Sequence, residues 1–189
     1  MCGIAGEIRF DGNFADAGAV AKMLDVLAPR GPDGTGVVAR GPVAFGHRRL
    51  KIIDLSENSA QPMTDSDLGL TITFNGCIYN YPELRAELES EGYTFFSHGD
   101  TEVILKSFHK WGEACVERFH GMFAFAIHER ATGAVTLVRD RFGIKPLYLA
   151  PKGKRLRFAS SLPALVAAGD IDTEIDRAAL HNYMSFHAV

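Results

Sequence analysis

The sequence predicts an α+β domain in which mainly antiparallel sheets are covered by helices. Three observations carry the prediction. Short stretches of alternating or continuously apolar residues, such as Leu70-Thr71-Ile72-Thr73-Phe74, recur often enough for about eight strands. Helical periodicities fall between them without the regular strand-helix-strand alternation of a parallel sheet. With 189 residues, 47% of them hydrophobic and 23% charged, the chain is large enough for one domain with one core. Two sheets face to face with helices outside would give every helix a packing surface, but periodicity alone leaves that arrangement open.

Along the chain, Ile4 to Phe10 reads as a strand ended by Asp11-Gly12, and Val20, Met23, Leu24 and Leu27 place a helix from Asp16 to Leu27. Pro29 stops it, and Arg30-Gly31-Pro32-Asp33-Gly34 follows as a loop. Strands are expected over Gly36 to Ala39 and Val43 to Arg48, then a polar loop from Ser56 to Ser66 carrying Pro62. The strand Leu70 to Phe74 runs into Asn75-Gly76, which puts Asn75 at a strand end. Pro82 and Glu83 open a helix that stops at Gly92, and a second has Asp100 as N-cap with Val103, Ile104, Ser107, Phe108 and Trp111 on one face. Met122 to His128 reads as a strand buried on both sides, with a Thr132-Gly133 hairpin into Val135 to Val138. Strands near Leu147 to Ala150 and Leu156 to Ala159 precede a short helix, Ser161 to Ala168, and Asp176 caps a last helical pattern reaching Val189.

Composition excludes several functions. A net charge of −3 with interspersed signs gives no basic stripe for nucleic acid. No apolar run approaches the ~20 residues that cross a bilayer, and no signal segment opens the chain, so a cytoplasmic protein is expected. Cys2, Cys77 and Cys115 are too few and too irregular for a disulfide framework or zinc knuckle, and read as thiols, Cys115 as core packing. The seven histidines have no ligand spacing, so no metal is assigned to this domain.

The chemistry centres on the N-terminus. Removal of Met1 exposes Cys2 with a free α-amine, whose ordinary pKa of roughly 7.7 to 8.0 lets it accept the thiol proton near neutrality. Nucleophile and base then share one residue, although cysteine at position two is by itself unremarkable. Asn75 and Gly76 offer a side-chain amide and a backbone N–H for an oxyanion, but Asn-Gly is equally a common turn. Arg49 near a strand end suits a substrate carboxylate, and Asp100 suits an ammonium, while solvation and helix capping explain both without any ligand.

These residues lie in segments that together resemble the class II glutamine amidotransferase domain of asparagine synthetase-like proteins. The segments are Met1-Cys2-Gly3-Ile4-Ala5-Gly6, Arg30-Gly31-Pro32-Asp33, His47-Arg48-Arg49-Leu50-Lys51-Ile52-Ile53-Asp54, Phe74-Asn75-Gly76-Cys77-Ile78-Tyr79-Asn80, Gly99-Asp100-Thr101-Glu102-Val103-Ile104, Gly121-Met122-Phe123-Ala124-Phe125-Ala126, and Arg139-Asp140-Arg141-Phe142-Gly143-Ile144-Lys145-Pro146-Leu147-Tyr148. The resemblance implies an N-terminal-nucleophile hydrolase fold, a four-layer αββα sandwich. It implies glutamine hydrolysis through a Cys2 thioester, with Asn75 and Gly76 on the oxyanion. Arg49 with backbone near Ile52 and Ile53 would hold the substrate carboxylate, Asp100 the ammonium, and Arg30 would support the nucleophile.

One position departs from the family pattern: Cys77 stands where asparagine synthetases have Glu, as in the N-acetylglutaminylglutamine amidotransferase branch. The resemblance further implies that residues 2–170 are the glutaminase domain. Residues 171–189 would begin a connection to a synthetase domain that uses ATP and Mg²⁺, whose Ser-Gly-Gly loop this chain lacks. Glutamine and that domain are the implied partners, and a homodimer is compatible with the pattern. Two other functions compete: a glutamine-sensing module without turnover, and a self-processing or proteolytic hydrolase, which a pocket for a free amino acid disfavours.

Overall fold

The computed structural model describes residues 1–187. Residues 188 and 189, the end of the segment assigned to the connection, lie outside the described residues. The elements follow in the order β1 (Gly3–Arg9), α1 (Ala17–Leu27), β2 (Gly34–Arg40), β3 (Val43–Arg49), β4 (Met63–Asp65), β5 (Leu70–Ile78), α2 (Tyr81–Ser90), α3 (Asp100–Trp111), β6 (Gly121–Glu129), β7 (Val135–Arg139), β8 (Tyr148–Lys152), β9 (Arg155–Ala159), α4 (Leu162–Ala167) and α5 (Arg177–Phe186).

The strands form two antiparallel sheets, β2-β3-β1-β9-β8 and β4-β5-β6-β7. Side-chain alternation builds the layers. Ile4 and Ile8 of β1, Phe45 of β3 and Phe158 of β9 meet Ala124 and Ala126 of β6 between the sheets. The opposite face of the first sheet, through Ala5, Ala44 and Ala159, receives Val20, Met23, Leu24 and Leu27 of α1 and Leu165 of α4. The opposite face of the second, through Ile72, Phe74, Ile78 and Phe125, receives Leu84 and Leu88 of α2 and Ile104, Leu105 and Phe108 of α3. The result is the αββα sandwich that the resemblance implied. Small alanines on the inner face of β6 let large rings from the first sheet fill the space opposite, as close packing demands. Among the described residues no helix is long and apolar enough to cross a membrane.

Three expectations are corrected. Met63–Asp65 forms β4 inside the segment read as a loop, an edge strand that begins just after Pro62, where a missing N–H is tolerated. Asn75-Gly76 does not end its strand: β5 runs on to Ile78, with Asn75 opposite Ala124 and Gly76 opposite Phe123. A Cβ on Gly76 would lie 2.3 Å from the Met122 carbonyl oxygen, so this glycine answers to close strand approach and not to a turn. Asp100 is not an N-cap. Gly99 holds that position, and Asp100 is the first residue of α3, its carboxylate reaching the Ile78 N–H. Asp176 caps its helix as expected, and Asp16, expected only as the start of α1, caps that helix too.

Periodicity also gave no hint of Glu7, a fully buried carboxylate on β1. It accepts hydrogen bonds from Arg157 Nε at 2.7 Å and from the Asp16 N–H at 3.0 Å. Arg157 donates in turn to the carbonyls of Ala168 and Gly169 just beyond α4. One ion pair thus joins two strands to the start of α1 and the end of α4. Glu7→Ala leaves Arg157 buried and uncompensated, and a loss of about 3–5 kcal/mol is expected in chemical denaturation; a loss below about 1 kcal/mol would refute this account of the pair.

Candidate active site

A cleft of about 290 Å³ opens at one edge of the sandwich, and Cys2, Arg49, Ile52, Ile53, Asn75, Gly76 and Asp100 all line it. The structure therefore brings these seven residues to one place, while Arg30 does not line the cleft. Gln61, Cys77, Thr101 and Lys145 line it too, and none of these had been given a role.

Cys2 immediately precedes β1, where the β1–β3 register sets Gly3 opposite Arg48 and so carries Cys2 to the end of β3. Its half-buried sulfur accepts a hydrogen bond from the Leu50 N–H at 3.3 Å. Its carbonyl accepts from Arg30 Nε at 3.1 Å. The Arg30 loop reaches this far because Gly31 packs on β3: a Cβ there would lie 2.4 Å from the Arg48 carbonyl oxygen. The Asp33 N–H donates to the Arg49 carbonyl at 2.9 Å, and the Asp33 carboxylate accepts from the Lys51 N–H at the same distance. With Met1 present the Cys2 nitrogen belongs to a peptide, and the Met1 side chain occupies part of the cleft, its sulfur 3.3 Å from Lys145 Nζ.

Asn75 and Cys77 lie on the inter-sheet face of β5, in alternation with Phe74 and Ile78, which pack under α2 and α3. Asn75 is 1% exposed, and its Nδ2 has no hydrogen-bond partner among the described residues. A buried donor without an acceptor is costly, and an amide held this way beside a cleft is suited to a ligand oxygen. The Phe74 N–H donates to Gln61 Oε1 at 2.7 Å, and the Ile78 N–H to the Asp100 carboxylate at 3.0 Å. Both therefore point away from β6. In an antiparallel ladder that orientation repeats every second residue, so the Gly76 N–H faces the same open edge, between those two acceptors.

Arg49 Nη1 donates to the Ser56 carbonyl at 2.8 Å, and Nη2 donates to the carbonyl of Asp54. The guanidinium thus lines the cleft and also folds the 50–60 segment, which carries Ile52 and Ile53, over its mouth. Asp54 finishes that fold by accepting from the Ser56 N–H, the Ser59 hydroxyl and the His98 N–H at 2.8, 2.6 and 2.9 Å. Burial works against its charge, but these donors hold the carboxyl well below the usual carboxylate range. Cys77 occupies the position expected for a carboxylate. Its thiol is pushed up by burial and by Asp100, against the opposing pull of the Lys145 ammonium. Lys145, 4% exposed, has no carboxylate partner among the described residues. Sequence reasoning held it only as part of the Gly143-Ile144-Lys145-Pro146 segment, and nothing in its spacing marked it as buried.

Burial pushes the Asp100 carboxyl from 3.8 up to about 6, even though it accepts from the Ile78 amide. A carboxyl raised in the folded state destabilises the fold above its folded pKa, and the penalty vanishes as pH falls below its unfolded value. Asp100→Asn is therefore expected to raise stability at pH 8 by about 1–3 kcal/mol, with the gain fading between pH 6 and 4. Thermal melts across that range check it, and a gain independent of pH would contradict the assignment.

Comparison with known proteins places this geometry in context. A sequence family described as a glutamine amidotransferase domain matches residues 1–189. Asparagine synthetase [glutamine-hydrolyzing] 1 of Bacillus subtilis (strain 168) is 42% identical over 192 residues, spanning 100% of this chain and 30% of its own length. A putative asparagine synthetase [glutamine-hydrolyzing] of Mycobacterium tuberculosis is 39% identical over 203 residues, covering 97% of this chain and 31% of that protein. The chain thus spans under a third of the length of these relatives. Among solved structures, the glutamine phosphoribosylpyrophosphate amidotransferase of B. subtilis, complexed with ADP and GMP, superposes with a TM-score of 0.75. It is 22% identical and covers 89% of this chain and 44% of that one, which shows a shared fold.

Proposed function

The chain belongs to the glutamine amidotransferase domain family, and from that premise we propose that it hydrolyses the side-chain amide of glutamine at Cys2. The ammonia released would feed an ATP-dependent, amide-forming synthetase domain. One observation carries the reading: the buried, unpartnered Asn75 amide and the edge-facing Gly76 N–H lie in the same cleft as the Cys2 sulfur.

Removal of Met1 frees the α-amine of Cys2 and clears part of the cleft. The amine takes the thiol proton while the sulfur attacks the glutamine amide carbon, and the oxygen that becomes negative accepts from Asn75 Nδ2 and the Gly76 N–H. Collapse of the tetrahedral intermediate expels ammonia, which leaves with the proton the amine had taken, and a thioester remains. Water then attacks the thioester carbon, and release of the thiol yields glutamate. Arg49 and backbone near Ile52 and Ile53 hold the substrate carboxylate, and Asp100 holds its ammonium. Cys77 contributes no charge, so recognition of the ammonium rests on Asp100. Arg30 supports the nucleophile through the Cys2 carbonyl.

Residues 2–170 are assigned to this glutaminase and 171–189 to the connection, a division supported by α5, which has no buried residue. ATP and Mg²⁺ belong to the synthetase domain. Among the described residues no three His, Cys, Asp or Glu side chains are grouped to hold a metal, and no step here runs through either cofactor. The acceptor class is a carboxylate, aspartate or the end of a dipeptide, and the compartment is the cytoplasm.

The purified chain, shown by intact mass to have lost Met1, should release glutamate from glutamine, and Cys2→Ala should abolish the release. Glutamine that binds the trimmed protein without being cleaved would make it a sensor module instead. Asn75→Ala is expected to lower kcat by about 10²–10³ with little change in KM, because its donor acts on charge that exists only in the transition state. A rise in KM at constant kcat would move Asn75 from the oxyanion to ground-state binding.

A further inference from the structure

Gln61 is not among the residues that the sequence singles out, yet it touches both halves of the cleft. The β4–β5 register pairs Met63 with Ile72, Thr64 with Thr71 and Asp65 with Leu70. Continued by two residues, it sets Gln61 opposite Phe74, before β4 begins. There the Gln61 side chain replaces a strand: Oε1 accepts from the Phe74 N–H at 2.7 Å. Its Nε2 donates to the Thr101 hydroxyl at 3.1 Å, in the first turn of α3 and adjacent to Asp100. The Phe74 carbonyl is held from the other sheet by His47 Nε2 at 3.0 Å. His47 is fully buried and pushed down to about 4 by that burial, so it stays neutral near pH 7. Both polar groups of the residue before Asn75 are therefore fixed by side chains.

We propose that Gln61 is a positioning residue, a side-chain brace that sets the Asn75 and Gly76 donors in register and ties them to the start of α3. The proposal rests on the glutaminase reading above and deepens it. An oxyanion site has to hold its donors to within a fraction of an ångström. The segment that carries them lies on a sheet edge with no neighbouring strand, where unsupported backbone would yield. Gln61 supplies the missing support without covering the Gly76 N–H, which a continued β4 would have paired.

Three variants separate the two ends of the brace. Gln61→Met should lower kcat for glutamate release about 10- to 100-fold with a small change in KM, since displaced donors cost the transition state alone. Gln61→Glu, assayed at pH 8, keeps an oxygen for the Phe74 N–H and should recover most of that kcat. Thr101→Val breaks only the tie to α3, and should raise KM with kcat held within about threefold. A general packing role would depress all three alike and allow no rescue by Glu. An unchanged kcat in Gln61→Met, or an equal kcat loss in Thr101→Val, overturns the brace. Hydrogen exchange of the Phe74 amide keeps this test distinct from the glutaminase reading. If the unmodified chain releases no glutamate that reading fails, while faster Phe74 exchange in Gln61→Met still supports the brace and unchanged exchange overturns it.

Discussion

The open edge of β5 from Phe74 to Ile78 is the constraint on which the cleft depends. β4 pairs with β5 only as far as Ile72, so from Phe74 onward the outward-facing backbone groups need other partners. Each finds a different kind: a glutamine side chain at Phe74, a carboxylate at Ile78, and the cleft itself at Gly76. Buried backbone groups are almost never left unpaired in folded proteins. A strand that stops early thus leaves the Gly76 N–H facing the cleft, where the proposed function sets the substrate oxygen.

The second sheet carries Asn75 and Gly76, and the first leads to Cys2. What holds the two in register is polar as well as apolar. Thr73 Oγ1 donates to the Gly46 carbonyl at 3.0 Å and His47 reaches the Phe74 carbonyl, so β3 and β5 are pinned to each other one and two residues before Asn75. The rings of Phe45 and Phe158, 5.7 Å apart edge to face, fill the space further in. Dispersion and burial hold the sheets together, and the directional bonds fix their relative shift, on which alignment of Cys2 with Asn75 depends.

Three acids, Glu7 and Asp100 buried and Asp54 half-buried, divide by what surrounds them. Glu7 is paired with Arg157 and serves the fold. Asp54 is saturated by three donors and shapes the mouth of the cleft. Asp100 accepts from the Ile78 amide, is pushed up to about 6, and faces a cavity. In the proposed function Asp100 is the one that takes the substrate ammonium, in keeping with a carboxyl that burial has raised. Cys77 sits beside it without adding charge.

The five helices and most strands were legible from the sequence, because 3.6- and 2-residue periodicities and the Asp176 cap are local properties. So was the set of residues at the cleft, since the segments that carry it are each continuous in the chain. The position of Asn75-Gly76 was misread locally: the dipeptide reads as a strand end or turn, and only the opposing β6 backbone carries the strand through it to Ile78. Asp100 was misread as the N-cap: Gly99 holds that position, and the Asp100 carboxylate also accepts from an amide 22 residues away. Gln61, Glu7 and Lys145 left no periodic trace, because their partners or surroundings are distant in sequence and single polar residues contribute nothing to a hydrophobic pattern. The sequence by itself determined which elements form and which chemical groups the chain carries. Tertiary structure decided which of those groups are left unsatisfied, because a hydrogen bond's availability depends on every neighbour that could have taken it.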